Sequence, residues 1–338
     1  MAKDLIVSSS EAAPQGWAAR MFGKLGGGRG AASEKGGKQR FAGSAEKKIQ
    51  SLTQRLVADD RYIFVLLGEA VENIEDQGIG PAWKALDDQM ALVPAGVVQV
   101  VRSDGAVQPT ELTGYYLDRC AVTNQQFQRF VNAGGYDNLE IWPQEVWPSL
   151  MRFTDQTGLA GPRGWERSKF PVGKAEHPVV GVCWYEALTY AHWVGKRLAS
   201  AAEWQKAAGW PEHLSGGCGN RYPWGDIFDP TRANLWAAGR GQTVPVREFP
   251  KGATPNGIYQ LTGNVWEWIN DPLESIPCHS HETFQSWKPL RRIVGGAFNT
   301  YFPAESTCQF ITGQPELDRC DNIGFRCAIS VDRIRPHA

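Results

Sequence analysis

The thiols and imidazoles are the side chains with which this chain could bind a soft metal ion or attack a substrate. It has seven cysteines, and Cys308, Cys320 and Cys327 follow spacings that match no common metal-binding motif. We therefore predict structural roles for these three. The odd number of cysteines, with no export signal recognised near the N-terminus, predicts reduced thiols and a cytoplasmic location by default. Display on a phage particle or a cell surface is left open as the alternative.

The six histidines form no recognisable metal-binding motif. None precedes His177, and the closest pair is His279 and His281 in the sequence HSH. Residues two apart lie on the same side of the chain only where the backbone is extended. We interpret this pair as part of a polar loop.

Three blocks near the C-terminus carry a family resemblance. They are LTGNVWEW at residues 261–268, VGGAFN at 294–299 and NIGFRCA at 322–328. Together with earlier blocks in the same order, they resemble the formylglycine-generating-enzyme family, also called the sulfatase-modifying-factor domain, over roughly residues 90–330. The resemblance implies an α+β architecture, an irregular C-type-lectin-like fold of the formylglycine-generating-enzyme type that is loop-rich and Trp-rich.

The resemblance does not extend to the catalytic residues. Catalytic members hold a copper ion between two cysteines that follow the Gly-Gly turn, and the matching positions here are Thr300 and Glu305. Neither side chain can become a thiolate. Related iron-dependent sulfoxide synthases draw most of their histidine ligands from an added helical domain, and no histidine precedes His177 here. We expect a protein that is not an enzyme and binds neither copper nor iron; a metal-dependent oxidoreductase of the formylglycine-generating-enzyme or sulfoxide-synthase superfamily is the alternative.

The resemblance also implies a structural calcium ion, which family members bind around the GNxWEW segment. The matching positions are Gln260, Gly263, Val265 and Glu267. Glu267 would supply the carboxylate that calcium prefers, and Gly263 and Val265 would supply carbonyl oxygens. A second family site matches Asn234 and Leu235, but the loop that follows lacks the acidic ligand.

The segment FNTYFPAESTCQFITGQPELDRCD, between the VGGA and NIGFRCA blocks, resembles the variable region of a diversity-generating-retroelement target protein. Such proteins use the same fold to display a changeable binding face, and aromatic, hydroxyl and amide side chains suit such a face. Divergence after loss of catalysis would give the same mixture, and one sequence leaves both readings open. The candidate ligand-contacting residues are Phe298, Asn299, Thr300, Tyr301, Phe302, Ser306, Thr307, Gln309, Phe310, Thr312 and Arg319. The expected partner is a protein or surface ligand.

The composition of the chain is typical of a soluble globular protein. The charged fraction is 21%, the net charge is −1, and there are 14 tryptophans and 37 glycines. The near-zero charge gives no basis for nucleic-acid binding. The longest apolar run, 62–67, is too short to span a membrane, which takes about 20 residues.

The chain divides into three predicted regions. Residues 1–45 are rich in Gly, Ser and Lys and predict a flexible tail or linker. Residues 46–89 predict a short helical region that could self-associate or dock on a partner. Residues 90–332 form the family-like domain, with the variable-looking segment at 298–320.

Local signals predict the elements that position the C-terminal blocks. Residues 115–118 predict a strand, and Thr123 is placed to cap a helix whose apolar side includes Phe127 and Phe130. Residues 179–182 predict a buried strand before a second helix. Ser200 and Glu203 form a capping box at the start of a third helix.

Overall fold

The computed structural model describes Arg61 and residues 79–101, 106–209, 219–273, 276–277, 283–284 and 288–334. All of them belong to one compact unit, Gln50–Ala338. The predicted tail, most of the predicted helical region 46–89, and the His279 and His281 pair lie outside the described residues. The domain boundaries therefore stay predictions.

In the described chain the α-helices all lie before residue 210, and only strands and short 3₁₀ turns follow, joined by long irregular connections. The helices are α1 (Ile79–Gln89), α2 (Asn124–Asn132), α3 (Trp147–Leu150), α4 (Trp184–Trp193) and α5 (Ala201–Ala208). The strands are β1 (Met90–Val93), β2 (Gly96–Val101), β3 (Val107–Leu112), β4 (Tyr115–Asp118), β5 (Arg197–Leu198), β6 (Trp266–Leu273), β7 (Ile276–Pro277), β8 (Thr283–Phe284), β9 (Leu290–Val294), β10 (Ile311–Pro315), β11 (Ile323–Phe325) and β12 (Cys327–Ser330).

Two four-stranded sheets organise these strands. The first has the order β1-β4-β12-β5 and is antiparallel throughout. The second has the order β10-β9-β6-β11, in which only β11 runs parallel to its neighbour β6, with Gly324 opposite Glu267. Two further hairpins pair β2 with β3 and β7 with β8. Because β11 and β12 are consecutive but belong to different sheets, the NIGFRCA block joins the two sheets.

The capping residues predicted from the sequence lie at the starts of α2 and α5. Thr123 accepts a hydrogen bond from the backbone N–H of Gln126 and begins α2, as predicted. Ser200 and Glu203 form the predicted capping box of α5, and Glu186 closes a similar box over the Cys183 backbone at α4. Each cap satisfies N–H groups that a helix start otherwise leaves unpaired.

Aromatic side chains fill the core and fasten the irregular segments. Phe127 of α2 stacks on Tyr190 of α4, with ring centroids 5.2 Å apart. The buried indoles donate hydrogen bonds to carbonyls of distant segments: Trp184 to Ile269, and Trp268 to Val182. Buried indole N–H groups that find such partners stabilise both the core and the loop.

The predicted strand at 179–182 is not a strand. Val179 and Val182 are fully buried, as expected, but within the described part of the chain the only ladder contact here is an isolated bridge between Pro178 and Thr123. The chain turns at Gly181, where φ is 73° and a Cβ would lie 3.1 Å from the Arg163 backbone nitrogen. This left-handed position, which favours glycine, ends any extended run. Burial was read correctly from the sequence, but the backbone bonds to several separate segments and not to one neighbouring strand.

Candidate ligand-binding surface

The turn that follows β9 is held by glycine geometry and by the hydroxyl of Thr300. Gly295 has φ 93°, and a Cβ there would lie 2.8 Å from the Leu261 carbonyl oxygen. The Ala297 N–H donates to Thr300 Oγ1 at 2.9 Å, and the Thr300 N–H donates back to the Ala297 carbonyl. Thr300 is buried. At the position that the family resemblance matches to a catalytic cysteine, this chain therefore has a hydroxyl that closes a turn.

Tyr301 and Phe302 project from this turn into solvent. Their exposed fractions are 66% and 60%, and their rings meet edge to face with centroids 5.1 Å apart. They lie outside the regular strands, directly before a short 3₁₀ turn that begins at Pro303. Exposed aromatic pairs of this size are unusual enough to suggest a contact site.

Trp236 completes the surface and was missed by the sequence reasoning. It is 58% exposed, and its ring centroid lies 6.2 Å from that of Tyr301. Its backbone N–H donates to the Thr300 carbonyl at 3.2 Å, which joins the two turns. No local signal could have shown this, because Trp236 and Tyr301 are far apart in the sequence. Only the folded chain brings them together.

Asn299, two residues before Tyr301, adds a polar side chain to this part of the chain. Asn299 is exposed, and its Oδ1 accepts a hydrogen bond from Asn322 Nδ2 at 3.1 Å. Among the described residues, neither Trp236 Nε1 nor the Tyr301 hydroxyl has a hydrogen-bond partner. We call Trp236, Asn299, Tyr301 and Phe302 the aromatic surface.

Ser306 and Thr307, two further candidates, lie inside the protein. Ser306 is fully buried, and its hydroxyl donates to the Pro303 carbonyl, while the Thr307 hydroxyl donates to the Ala304 carbonyl. The Thr262 hydroxyl donates to the Ser306 carbonyl. These bonds hold the 3₁₀ turn in place. The burial of Ser306, Thr307 and Thr300 speaks against direct ligand contact.

Four more candidates are half-buried and packed on the scaffold. The ring of Phe310 lies 6.1 Å from Trp266, and Gln309 donates to the Asn220 carbonyl. Thr312 pairs with Ile293 in the sheet, and the Phe298 N–H donates to the Asn264 carbonyl. These contacts hold the four residues on the scaffold.

Arg319 forms a buried ion pair, which corrects its assignment to a ligand-contacting face. Its side chain is only 9% exposed, and its Nε and Nη2 donate to Glu186 Oε2 and Oε1 at 2.8 and 2.9 Å. It also donates to the carbonyls of Thr154 and Gly161. The Tyr136 hydroxyl donates to the same carboxylate. A guanidinium so fully paired fastens the end of the segment to α4 and is not available to a ligand.

The residues matched to the calcium site have other partners. Both oxygens of Glu267 accept hydrogen bonds from Arg326, and Oε2 also accepts from Trp204 Nε1. The carboxamide oxygen of Gln260 accepts from Asn264 Nδ2, and the Gly263 carbonyl accepts from the Val265 N–H. A cation here would have to compete with a buried guanidinium for the only carboxylate of the set. In this arrangement the four residues do not fit a calcium ion, because the carboxylate already has a buried counter-ion.

The residue matched to the second calcium site, unlike the first set, has a buried side-chain oxygen without a partner among the described residues. Asn234 is fully buried, and its Oδ1 has no hydrogen-bond partner among the described residues. Its Nδ2 donates to the Gln242 carbonyl and to Asn264 Oδ1. One free oxygen is not a calcium site, which needs six or more oxygen ligands. Within the described ranges, no group of three His, Cys, Asp or Glu side chains lies together as metal ligands.

Cys308 and Cys183 are buried thiols. Cys308 is 1% exposed within the core, and burial raises the pKa of its thiol. Burial and the neighbouring Glu186 carboxylate likewise raise the pKa of Cys183 well above its ordinary value. Such thiols stay protonated near neutral pH and are poor nucleophiles.

Comparison with known proteins defines the class. The sulfatase-modifying factor enzyme 1-like domain matches residues 77–331. The chain belongs to this family, which includes proteins named formylglycine-generating enzyme and hercynine oxygenase. The C-type-lectin-like α+β fold expected from the sequence is confirmed.

Two relatives and one solved structure place the chain within this family. It is 29% identical over 297 residues to the formylglycine-generating enzyme of Mus musculus, covering 74% of this chain and 77% of the relative. It is 34% identical over 229 residues to the serine/threonine-protein kinase Pkn1 of Chlamydia trachomatis serovar L2, covering 66% of this chain but only 32% of the kinase. The structure of CarF matches with a TM-score of 0.50 at 21% identity, covering 72% of this chain and 98% of CarF, which supports the fold.

No described helix has both the length and the apolar character needed to cross a membrane.

Proposed function

We propose that this protein is a non-catalytic ligand-binding protein that recognises its partner through the aromatic surface. The observation that carries the proposal is the exposure of Trp236, Tyr301 and Phe302 as one contacting group on a backbone fixed by hydrogen bonds. Large rings with few rotatable bonds provide contact area at low entropic cost. Exposed aromatics of this kind carry much of the binding energy in protein interfaces.

The residues at the catalytic positions support a role other than the family's oxidation chemistry. Thr300 uses its hydroxyl within the turn, and Glu305 lies in the 3₁₀ turn after Phe302. Cys308, the nearest thiol in sequence, is buried and has a raised pKa. A copper site built from two thiolates has no counterpart at these positions.

We further propose that the aromatic surface is the part of the C-terminal segment that varies between related copies, as in the variable protein of a diversity-generating retroelement. Exposed Asn299, Tyr301 and Phe302 can change without disturbing the core, whereas Ser306 and Arg319 cannot. DNA flanking the gene should contain a reverse-transcriptase gene and a near-copy of the segment that differs mainly at adenines. If the flanking DNA contains neither, the protein is not the product of such a retroelement, and the binding role is tested separately.

A peptide-display selection tests the binding role. The full-length protein should enrich specific clones, and a Tyr301→Ala/Phe302→Ala double variant should fail to capture them. Trp147→Ala is the matched control, since Trp147 is 41% exposed on α3 and its indole N–H donates to the Trp142 carbonyl, outside the aromatic surface. If the double variant captures the same clones as the wild type, the aromatic surface is not the binding site.

A further inference from the structure

We propose that Asn264 is a positioning residue for the aromatic surface, because it ties the turn that carries Trp236 to the turn that carries Tyr301. This inference rests on the proposed binding function and adds the residue on which the arrangement of the binding site depends. Three properties of Asn264 support it: its backbone bonds, its side-chain bonds and its left-handed conformation.

The backbone of Asn264 bridges the two turns. Its N–H donates to the Asn234 carbonyl at 2.8 Å, and its own carbonyl accepts from the Phe298 N–H at 3.1 Å. Asn234 lies two positions before Trp236, and Phe298 lies three positions before Tyr301. One residue therefore fixes the chain just before each of the two rings.

The side chain of Asn264 is buried and uses its full hydrogen-bonding capacity. Its Oδ1 accepts from Asn234 Nδ2 at 3.0 Å and from the Val244 N–H at 2.9 Å. Its Nδ2 donates to the Val244 carbonyl at 3.0 Å and to Gln260 Oε1 at 2.7 Å. A carboxamide can make two bonds through each of these atoms, and here all four are made. Because it pairs with both backbone groups of Val244, it also fastens the loop that follows Trp236.

The backbone conformation of Asn264 is strained. Its φ is 69°, in the left-handed region that asparagine tolerates better than most residues. A turn that needed only this φ could carry glycine without strain, as the chain does at Gly263 and Gly295. At position 264 the side chain supplies four bonds that glycine would lack. Strain of this kind persists where the surroundings over-determine a conformation, and it is concentrated at functional sites.

The exposed rings depend on this bridge for their relative position. Trp236 is 58% and Tyr301 is 66% exposed, so the core encloses neither ring. Their centroids lie 6.2 Å apart, a separation set by the backbone through the Trp236 N–H bond to the Thr300 carbonyl and through the Asn264 bridge. Binding sites need supporting bonds that hold contact groups to within about 0.5 Å and so reduce the entropy lost on association.

Fluorine NMR of the full-length protein labelled with 3-fluorotyrosine tests the inference without any ligand. Tyr301→Phe identifies the Tyr301 resonance among those of the nine tyrosines, and Trp236→Ala gives its position when the ring contact is lost. Asn264→Asp keeps the side-chain size and the tolerance of a positive φ but removes both donors. We therefore expect the Tyr301 resonance to move from its wild-type position toward its position in Trp236→Ala. Phe127→Leu, a change in the buried core on α2, is the control for lost stability and should leave the resonance in place.

A Tyr301 resonance that stays at its wild-type position in Asn264→Asp overturns the inference. If this variant fails to fold, native-state hydrogen exchange on the wild type supplies the test. The N–H groups of Trp236, Asn264 and Phe298 should then open with one common free energy, as a single cooperative unit. Independent opening of Trp236 and Phe298 would equally overturn the coupling.

Affinity measurements separate this inference from the proposed function. The probe is a display-selected peptide that Tyr301→Ala/Phe302→Ala fails to capture. Asn264→Asp should bind it about fivefold more weakly or worse, whereas Phe127→Leu should match the wild type. Unchanged affinity of Asn264→Asp overturns its role in binding. If no selected peptide depends on the rings, the proposed function fails, while the fluorine and exchange results still decide whether Asn264 holds the two turns together.

Discussion

Arg319 and Tyr301 belong to the same C-terminal segment, yet the structure gives them opposite roles. The Arg319 guanidinium is buried against Glu186, whereas the Tyr301 ring is 66% exposed. A buried charge that loses its partner is costly, but an exposed ring contributes little to folding. Stability measurements therefore separate the residues that hold the segment from those that can contact a ligand.

Removal of the Arg319 side chain should strongly destabilise the protein. Arg319→Ala leaves Glu186 buried without its counter-ion, and we expect the free energy of unfolding to fall by about 3–5 kcal/mol. Urea denaturation measures this, and Arg240→Ala is the control because Arg240 is exposed. A loss no larger than that of the control would show that the ion pair does not hold the segment.

Truncation of the exposed rings, in contrast, should leave the free energy of unfolding nearly unchanged. Tyr301→Ala and Phe302→Ala should each change the free energy of unfolding by no more than about 0.5–1 kcal/mol, because most of each side chain is already in water. Thermal unfolding of both variants measures this. A drop as large as that of a core substitution would mean that the rings stabilise the fold and are not free to bind.

At the scale of elements, the turn between β9 and the aromatic surface depends on backbone geometry. Gly295 has a positive φ, and a Cβ there would lie 2.8 Å from the Leu261 carbonyl oxygen and 3.2 Å from the Trp204 ring. Any side chain there meets both a strained conformation and a steric clash. The position of the surface is thus fixed by a residue that has no side chain.

Gly295→Ala should therefore destabilise the turn and the fold. Backbone strain alone is worth about 1–3 kcal/mol, and displacement of Trp204 adds to it. Gly164→Ala is the matched control, since φ there is not positive and an added Cβ meets no atom within 4 Å. Equal unfolding midpoints for the two variants in denaturant would contradict the account of this turn.

The elements also show how far the sequence alone can lead. Thr123 and Ser200 were identified as caps because a cap depends on residues only three positions apart. Residues 179–182 were read as a strand because burial and apolar character look the same with or without a pairing partner. Arg319 was misjudged because its partner, Glu186, is 133 positions away. Local chemistry was predictable, whereas contacts made by the folded chain were not.

On the scale of the whole molecule, the fold joins two sheets through buried charge. Glu267 of β6 and Arg326, between β11 and β12, are 1% and 2% exposed and paired at 2.6 Å. Arg326 also donates to the carbonyls of Asp118 and Tyr259, which lie on other segments. This network occupies the carboxylate that family resemblance assigns to calcium.

Calcium should consequently have little effect on stability through this site. We expect the same Tm in excess calcium and in a chelator, because Glu267 already has a buried counter-ion. Scanning calorimetry on wild type measures this, with magnesium as the control for ionic strength. A calcium-specific rise in Tm that Glu267→Gln abolishes would contradict this expectation and restore the site implied by the family.

The most direct test of the central claim is the affinity of a selected ligand for three proteins: wild type, Tyr301→Ala/Phe302→Ala and Trp147→Ala. If the aromatic surface is the binding site, the double variant should bind about tenfold more weakly or worse, with an unchanged unfolding midpoint, and Trp147→Ala should match wild type. Equal affinity in all three proteins would contradict the claim, since the ligand would then bind elsewhere on the molecule.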